Sequence, residues 1–182
     1  MYLSQDRWKD KNVASKKYSI MEETKKVANN EVNKETIQSL NQLLQGEYMA
    51  VESFNIFISK VEDENVKKIF QEIQKQHRQN IDKLASYIQN IGGRPQENLG
   101  MKGMIADKKV SMDLGIKTDT AEIIKKAVEG ETQGVNMAEK VLRGTLDDKS
   151  RDIAGEILHK DRSSIDKLNS LLDAMKIESK RN

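Results

Sequence analysis

The chain has 182 residues and carries 31 Lys and Arg against 29 Asp and Glu, for a formal net charge of +2. This balance predicts neither nucleic-acid binding nor attraction to a membrane surface. The absence of cysteine excludes disulfides, zinc–thiolate sites and thiol catalysis, and a single proline with ten glycines argues against an all-β fold. No stretch has the ~18 apolar residues of a membrane span, and no apolar run of signal-peptide length opens the chain. We therefore expect a cytoplasmic protein.

Apolar residues recur with helical periodicity over most of the chain. Long helices are predicted at 34–61, 65–91, 118–144 and 148–174, between a flexible polar N-terminal tail at 1–33 and a polar C-terminal tail at 175–182. The second of these helices stops at Gly92, Gly93 and Pro95, which is a glycine cap followed by proline. The fold prediction is all-α, with one bundle domain over residues 34–174.

The lengths of the connections predict how the four helices are arranged. The first and third connections are short, so each joins two antiparallel neighbours. The connection over 92–117 is long enough to return along the whole bundle. Four helices with one long crossover between the second and the third form a ferritin-like arrangement rather than a simple up-and-down bundle.

The two predicted hairpins resemble each other in sequence. Residues 77–84 read HRQNIDKL and residues 161–168 read DRSSIDKL, an offset of 84 positions. The same offset aligns Gly46 and Glu47 with Gly130 and Glu131. The bundle is therefore predicted to consist of two copies of one helical hairpin.

Four ionisable residues lie on the apolar faces of the predicted helices, at mid-helix. At 100° per residue, Glu47, His77, Glu131 and Asp161 each have apolar neighbours within about 40° on both sides. A buried carboxylate without a partner is costly, and three together repel one another. A cation removes that conflict, and carboxylate and imidazole donors suit iron, manganese or zinc. The sequence predicts a metal site at one level of the bundle, with iron or manganese preferred over zinc.

Other polar residues near these positions need separate interpretations. Asn80, Ser164 and Gln74 lie towards the core, at the edge of the predicted site. Glu156-x-x-His159 has the spacing of a ligand pair, but both residues fall on the opposite face of their helix and are predicted to be exposed.

Three glycines also interrupt these helices. Gly46, Gly130 and Gly134 each cost about 1 kcal/mol of helix propensity relative to alanine. Close helix approach near the site and ordinary packing against a bulky neighbour are both open as explanations.

The four core residues and their spacing resemble the ferritin-like di-iron carboxylate superfamily over residues 34–174. That family pairs single glutamates on its first and third helices with Glu-x-x-His on its second and fourth. Glu47 and Glu131 match the glutamates, whereas His77-x-x-Asn80 and Asp161-x-x-Ser164 replace the two pairs. Within that superfamily the chain resembles bacterial ferritin-like four-helix proteins, some of them labelled rubrerythrin-like or demethoxyubiquinone-hydroxylase-like.

This resemblance implies metal binding, with iron, oxygen or peroxide handling at a degraded carboxylate site. The alternative is a metal-free structural protein, associated with stress or spores, that keeps a residual buried polar layer. No catalytic residue is assigned from the sequence. Because only a short polar segment follows the fourth helix, we expect at most a dimer and no storage cage.

Overall fold

The computed structural model describes residues 6–96 and 119–179 of the chain. These residues form four α-helices and no strand. In chain order the helices are α1 (Asp6–Lys60), α2 (Glu64–Asn90), α3 (Thr120–Leu142) and α4 (Asp148–Ser179). Residues 97–118, which make up most of the predicted crossover, lie outside the described residues.

Two apolar clusters fill the bundle, one towards each end. The phenylalanine cluster includes Phe54, Phe57 and Phe70, together with the start of α3 and the end of α4. The leucine cluster includes Leu40 and Leu84, together with the end of α3 and the start of α4. Consequently α1 and α4 run from the leucine cluster to the phenylalanine cluster, and α2 and α3 run the other way. The connection between α2 and α3 must therefore span the bundle, which confirms the predicted arrangement.

The end of α2 shows the glycine cap that the sequence predicts. Gly92 has φ +80°, a left-handed conformation that glycine adopts without steric cost. The amide of Gly92 donates to Gln89 O at 2.9 Å and that of Gly93 donates to Ile88 O at 2.8 Å, which is the Schellman pattern. A Cβ on Gly93 would lie 2.9 Å from Ile37, so the chain leaves α2 in direct contact with α1.

The first helix begins earlier than the sequence predicts, at Asp6 instead of residue 34. Its N-terminal turns hold exposed apolar side chains, including Tyr18, Ile20 and Val27, so they bury no continuous face. Apolar periodicity reveals only helices that bury one face. This segment is helical because it consists of residues that form helices readily and contains no glycine or proline. Similarly, α4 continues to Ser179, into the predicted C-terminal tail. The division into two tails and one bundle domain stays a prediction.

None of the helices within residues 6–96 and 119–179 is long and apolar enough to cross a membrane.

Candidate metal centre

A layer of ionisable side chains separates the two apolar clusters, and each helix contributes one member. Glu47 comes from α1, His77 from α2, Glu131 from α3 and Asp161 from α4. Their exposed fractions are only 5%, 3%, 3% and 3%. The helical phase derived from the sequence therefore places these four residues correctly inside the bundle.

His77 bridges the two glutamates. Its Nδ1 lies 2.7 Å from Glu47 Oε2 and its Nε2 lies 2.9 Å from Glu131 Oε1. The ring of Phe54 packs beside the imidazole, with ring centroids 5.7 Å apart. One side chain of α2 thus connects carboxylates on α1 and α3.

The surroundings of His77 favour its charged form. Burial alone would lower the pKa of the imidazole, because it removes water from the charged ring. The hydrogen bonds to Glu131 and Glu47 outweigh burial and raise the pKa of His77 well above its ordinary value. In the metal-free protein at neutral pH, both ring nitrogens therefore donate to carboxylates.

Asp161 and Glu131 have unsatisfied oxygens in this layer. Among the described residues, Asp161 Oδ1 and Glu131 Oε2 are the buried side-chain oxygens without a hydrogen-bond partner. Burial, followed by repulsion from Glu47 and Glu131, raises the pKa of Asp161 to about 8. A buried acceptor without a donor is costly, so this arrangement calls for a proton, a water or a cation beside these two oxygens.

The layer already brings metal-binding atoms close together. One ligand atom from each of Glu47, His77 and Asp161 lies within 4.8 Å of the other two. Glu131 is outside this triad but contacts His77 directly. Three carboxylates and one imidazole form a donor set suited to a divalent transition metal.

Of the three predicted edge residues, Asn80 hydrogen-bonds to the layer, whereas Ser164 and Gln74 donate to other groups. Asn80 donates to Glu47 Oε2 at 3.2 Å. Ser164 is buried, and its hydroxyl donates to Lys160 O at 3.2 Å. Gln74 donates to Val51 O at 3.0 Å and to Asn55 Oδ1 at 2.7 Å, so it links α2 to α1.

The Glu156-x-x-His159 pair is exposed, as its helical phase predicts. Glu156 pairs with Lys83 and, at 2.9 Å, with Lys160. Hydrogen bonds from these two lysines lower the pKa of the Glu156 carboxyl to about 2. Its role in the structure is that of a surface ion-pair partner.

A cavity of about 190 Å³ opens between α1 and α3 and reaches the polar layer. All four layer residues line it. Its walls are built partly from small residues, including Gly46, Ala50, Ser53, Gly130 and Gly134. Sequence reasoning missed this cavity, although the three glycines were its signal.

The donor set fits one metal ion better than two. The orphaned oxygens of Glu131 and Asp161 show that the layer lacks positive charge or donors. A second ion would need further nitrogen or oxygen ligands. Asn80 and Ser164, however, occupy the positions where the ferritin-like di-iron carboxylate superfamily has histidine. His77 also stands where that family has a carboxylate, which leaves fewer anionic ligands to share between two ions.

Solved structures with a similar helix arrangement show that the fold is ferritin-like. A dodecameric thioferritin, the bacterioferritin-related protein of Bacteroides fragilis, matches with a TM-score of 0.65 and 20% identity, over 81% of this chain and 90% of that one. Ferritin-like, diiron-carboxylate proteins of Bacillus anthracis match with a TM-score of 0.59 and 21% identity, over 78% of this chain and 97% of that one.

A two-domain protein of Anabaena variabilis, with DJ-1/ThiJ/PfpI-like and ferritin-like domains, matches with a TM-score of 0.63 and 20% identity over 78% of this chain. The present chain spans 36% of the length of that protein. At these identities, all three similarities establish the fold alone.

The family follows from sequence. Residues 35–144, more than half of the chain, match the family described as domain of unknown function DUF2383, and the chain belongs to this family. Comparison with curated proteins gives no match. The narrower resemblance to rubrerythrin-like or demethoxyubiquinone-hydroxylase-like proteins stays a prediction.

Proposed function

We propose that the protein binds one divalent iron or manganese ion in its polar layer. The observation that carries this proposal is the triad of Glu47, His77 and Asp161, whose ligand atoms lie within 4.8 Å of one another. The orphaned oxygens of Asp161 and Glu131 support it, because a cation would satisfy both. Zinc suits a site of three carboxylates and one imidazole less well.

The four residues would have different tasks. Asp161 and Glu47 would neutralise the ion with carboxylate oxygens, and Glu131 would add its orphaned oxygen. His77 would release at least one of its two carboxylate hydrogen bonds, because both of its ring nitrogens are now engaged. A bound iron or manganese ion would supply redox chemistry towards oxygen or peroxide, which is the use we propose for the site.

A second candidate function is a metal-free structural role. It is favoured by one specific observation, the charged imidazole of His77 held between Glu47 and Glu131. In that arrangement the second ring proton of His77 and a proton on Asp161 neutralise part of the negative charge that a metal cation would otherwise neutralise. The protein would then serve in a stress- or spore-associated role with a residual polar layer.

Thermal unfolding with and without metal separates the two functions. The protein is purified without chelators, analysed for metal, stripped, and melted at neutral pH with and without Mn(II) or anaerobic Fe(II). Because metal binds only the folded site, a hundredfold excess over Kd should stabilise the protein by about 2.7 kcal/mol. A domain of this size should then melt roughly 5–11 °C higher.

Glu131→Gln should reduce this metal-induced shift, because it removes one anionic donor. Glu156→Gln is the matched control, since the same substitution at an exposed glutamate should leave the full shift. If the purified protein contains no metal and added metal does not raise the melting temperature of the wild type, the metal-binding proposal is wrong. The metal-free polar layer is then the better account.

A further inference from the structure

The cavity between α1 and α3 leads from the protein surface to the polar layer. It starts at the surface beside Gly130, which is exposed, and passes Gly134, which is half-buried. It ends at Glu131 and Asp161, which are each only 3% exposed. The cavity therefore connects solvent with the carboxylates of the polar layer.

Close packing does not explain the two glycines of α3. A Cβ on Gly130 would meet no atom within 4 Å. A Cβ on Gly134 would lie 3.5 Å from Asp161 Oδ2, which is an ordinary van der Waals distance. Among the three glycines that line the cavity, the close approach is at Gly46, whose Cβ would lie 3.3 Å from Met137 Sδ. The glycines of α3 leave room in the cavity wall instead of admitting a neighbouring helix.

The inner end of the cavity has groups that a ligand would satisfy. The orphaned oxygens belong to Glu131 and Asp161, and both residues line the cavity. Both are acceptors, so their ligand must be a cation or a hydrogen-bond donor. The wall facing them is built mainly from small and apolar residues, and the positively charged lining residue, His77, is already paired with Glu47 and Glu131.

We propose that this cavity is the path by which a hydrated divalent cation reaches the polar layer. This inference rests on the proposed metal-binding function. A cavity of about 190 Å³ is large enough to hold several waters, so a cation can enter it without first losing all of its hydration. Glu131 and Asp161, which line the cavity and carry the orphaned oxygens, would supply carboxylate oxygens in place of these waters.

The test is the rate of Mn(II) uptake by the stripped full-length protein, followed in stopped flow with a dye that reports free Mn(II). Gly130→Leu places a side chain at the mouth, and Gly134→Val narrows the wall closer to Asp161. Gly155→Leu is the matched control, because Gly155 lies on α4 outside the cavity and its Cβ would also meet nothing within 4 Å.

A blocked path leaves the donor atoms unchanged. It should therefore slow both Mn(II) uptake and Mn(II) release without changing the Kd. We expect Gly130→Leu to slow uptake and release at least about tenfold each, with Kd within about threefold of wild type. The control should match wild type in both rates. Wild-type rates in both Gly130→Leu and Gly134→Val, with Mn(II) still bound, would overturn the path alone. No Mn(II) binding by wild type would instead overturn the proposed function.

Discussion

We expect Asp161→Asn to stabilise the metal-free protein at neutral pH and to weaken metal binding. The folded protein keeps this carboxyl protonated up to a pKa of about 8, because burial and the neighbouring glutamates oppose its charge. The unfolded chain releases the same proton near pH 4, so the native carboxyl costs stability at pH 7. Removing it should raise stability by a few kcal/mol and Tm by roughly 5–10 °C.

Metal binding should change in the opposite direction in the same variant. Asp161 is one of the three residues whose ligand atoms lie within 4.8 Å of one another. Loss of an outer partner of a metal ligand typically lowers affinity 10–100-fold, so loss of a ligand should lower it at least ~100-fold. Calorimetric titration with Mn(II) measures this change. Asp166→Asn, on an exposed face of the same helix, is the control and should change neither quantity appreciably.

The pH dependence of the metal-free protein follows from the same groups. Asp161 has a raised folded pKa, so its cost is absent in acid and grows as pH rises from about 4 to about 8. His77 also has a raised folded pKa, so its stabilisation is complete below pH 6.5 and is lost as pH rises through the folded pKa. Glu156 acts in the opposite direction, but only below its ordinary pKa, because its folded pKa is about 2.

Metal-free wild type should therefore lose stability between about pH 5 and pH 8. Asp161→Asn should show a shallower slope in that window, measured by urea unfolding at a series of pH values. A wild-type profile that rises over this range would mean that Asp161 is ionised in the fold, contrary to its surroundings.

Some features of the site could be predicted from sequence because helices are regular. Once four helices were recognised, a rotation of 100° per residue fixed which side chains face the core, and Glu47, His77, Glu131 and Asp161 all follow it. The same rule placed Glu156 at the surface. These assignments depend only on backbone geometry, which the sequence periodicity reports well.

Other features depend on interactions that periodicity does not report. Helical phase fixes the face on which His77 lies but not its side-chain rotamer, and the packed positions of α1 and α3 direct its ring nitrogens to Glu47 and Glu131. Gln74 points to the backbone of α1 for the same kind of reason. The cavity lies between glycines on two different helices, Gly46 on α1 and Gly130 and Gly134 on α3. The sequence of either helix alone therefore does not reveal it. The N-terminal turns of α1 bury no apolar face, so no period marks them.

The second large effect is expected from His77→Ala. His77 is the cation that holds Glu47 and Glu131 together, with bonds of 2.7 and 2.9 Å. Its removal leaves three buried acids without a buried cation in the layer. Breaking a buried ion pair by removing one partner typically costs 3–5 kcal/mol, so Tm should fall by roughly 6–20 °C. Differential scanning calorimetry of the metal-free protein measures the loss.

Two comparisons show whether this loss is electrostatic. His159→Ala is the matched control, since His159 is the only other histidine and is exposed, and it should melt like wild type. Glu131→Gln should lower the melting temperature of the otherwise wild-type protein, because His77 loses a charged partner. The same substitution should stabilise the His77→Ala protein, because there it removes only repulsion. If Glu131→Gln were destabilising in both backgrounds, His77 would be acting through packing against Phe54 and not as the cation of the layer.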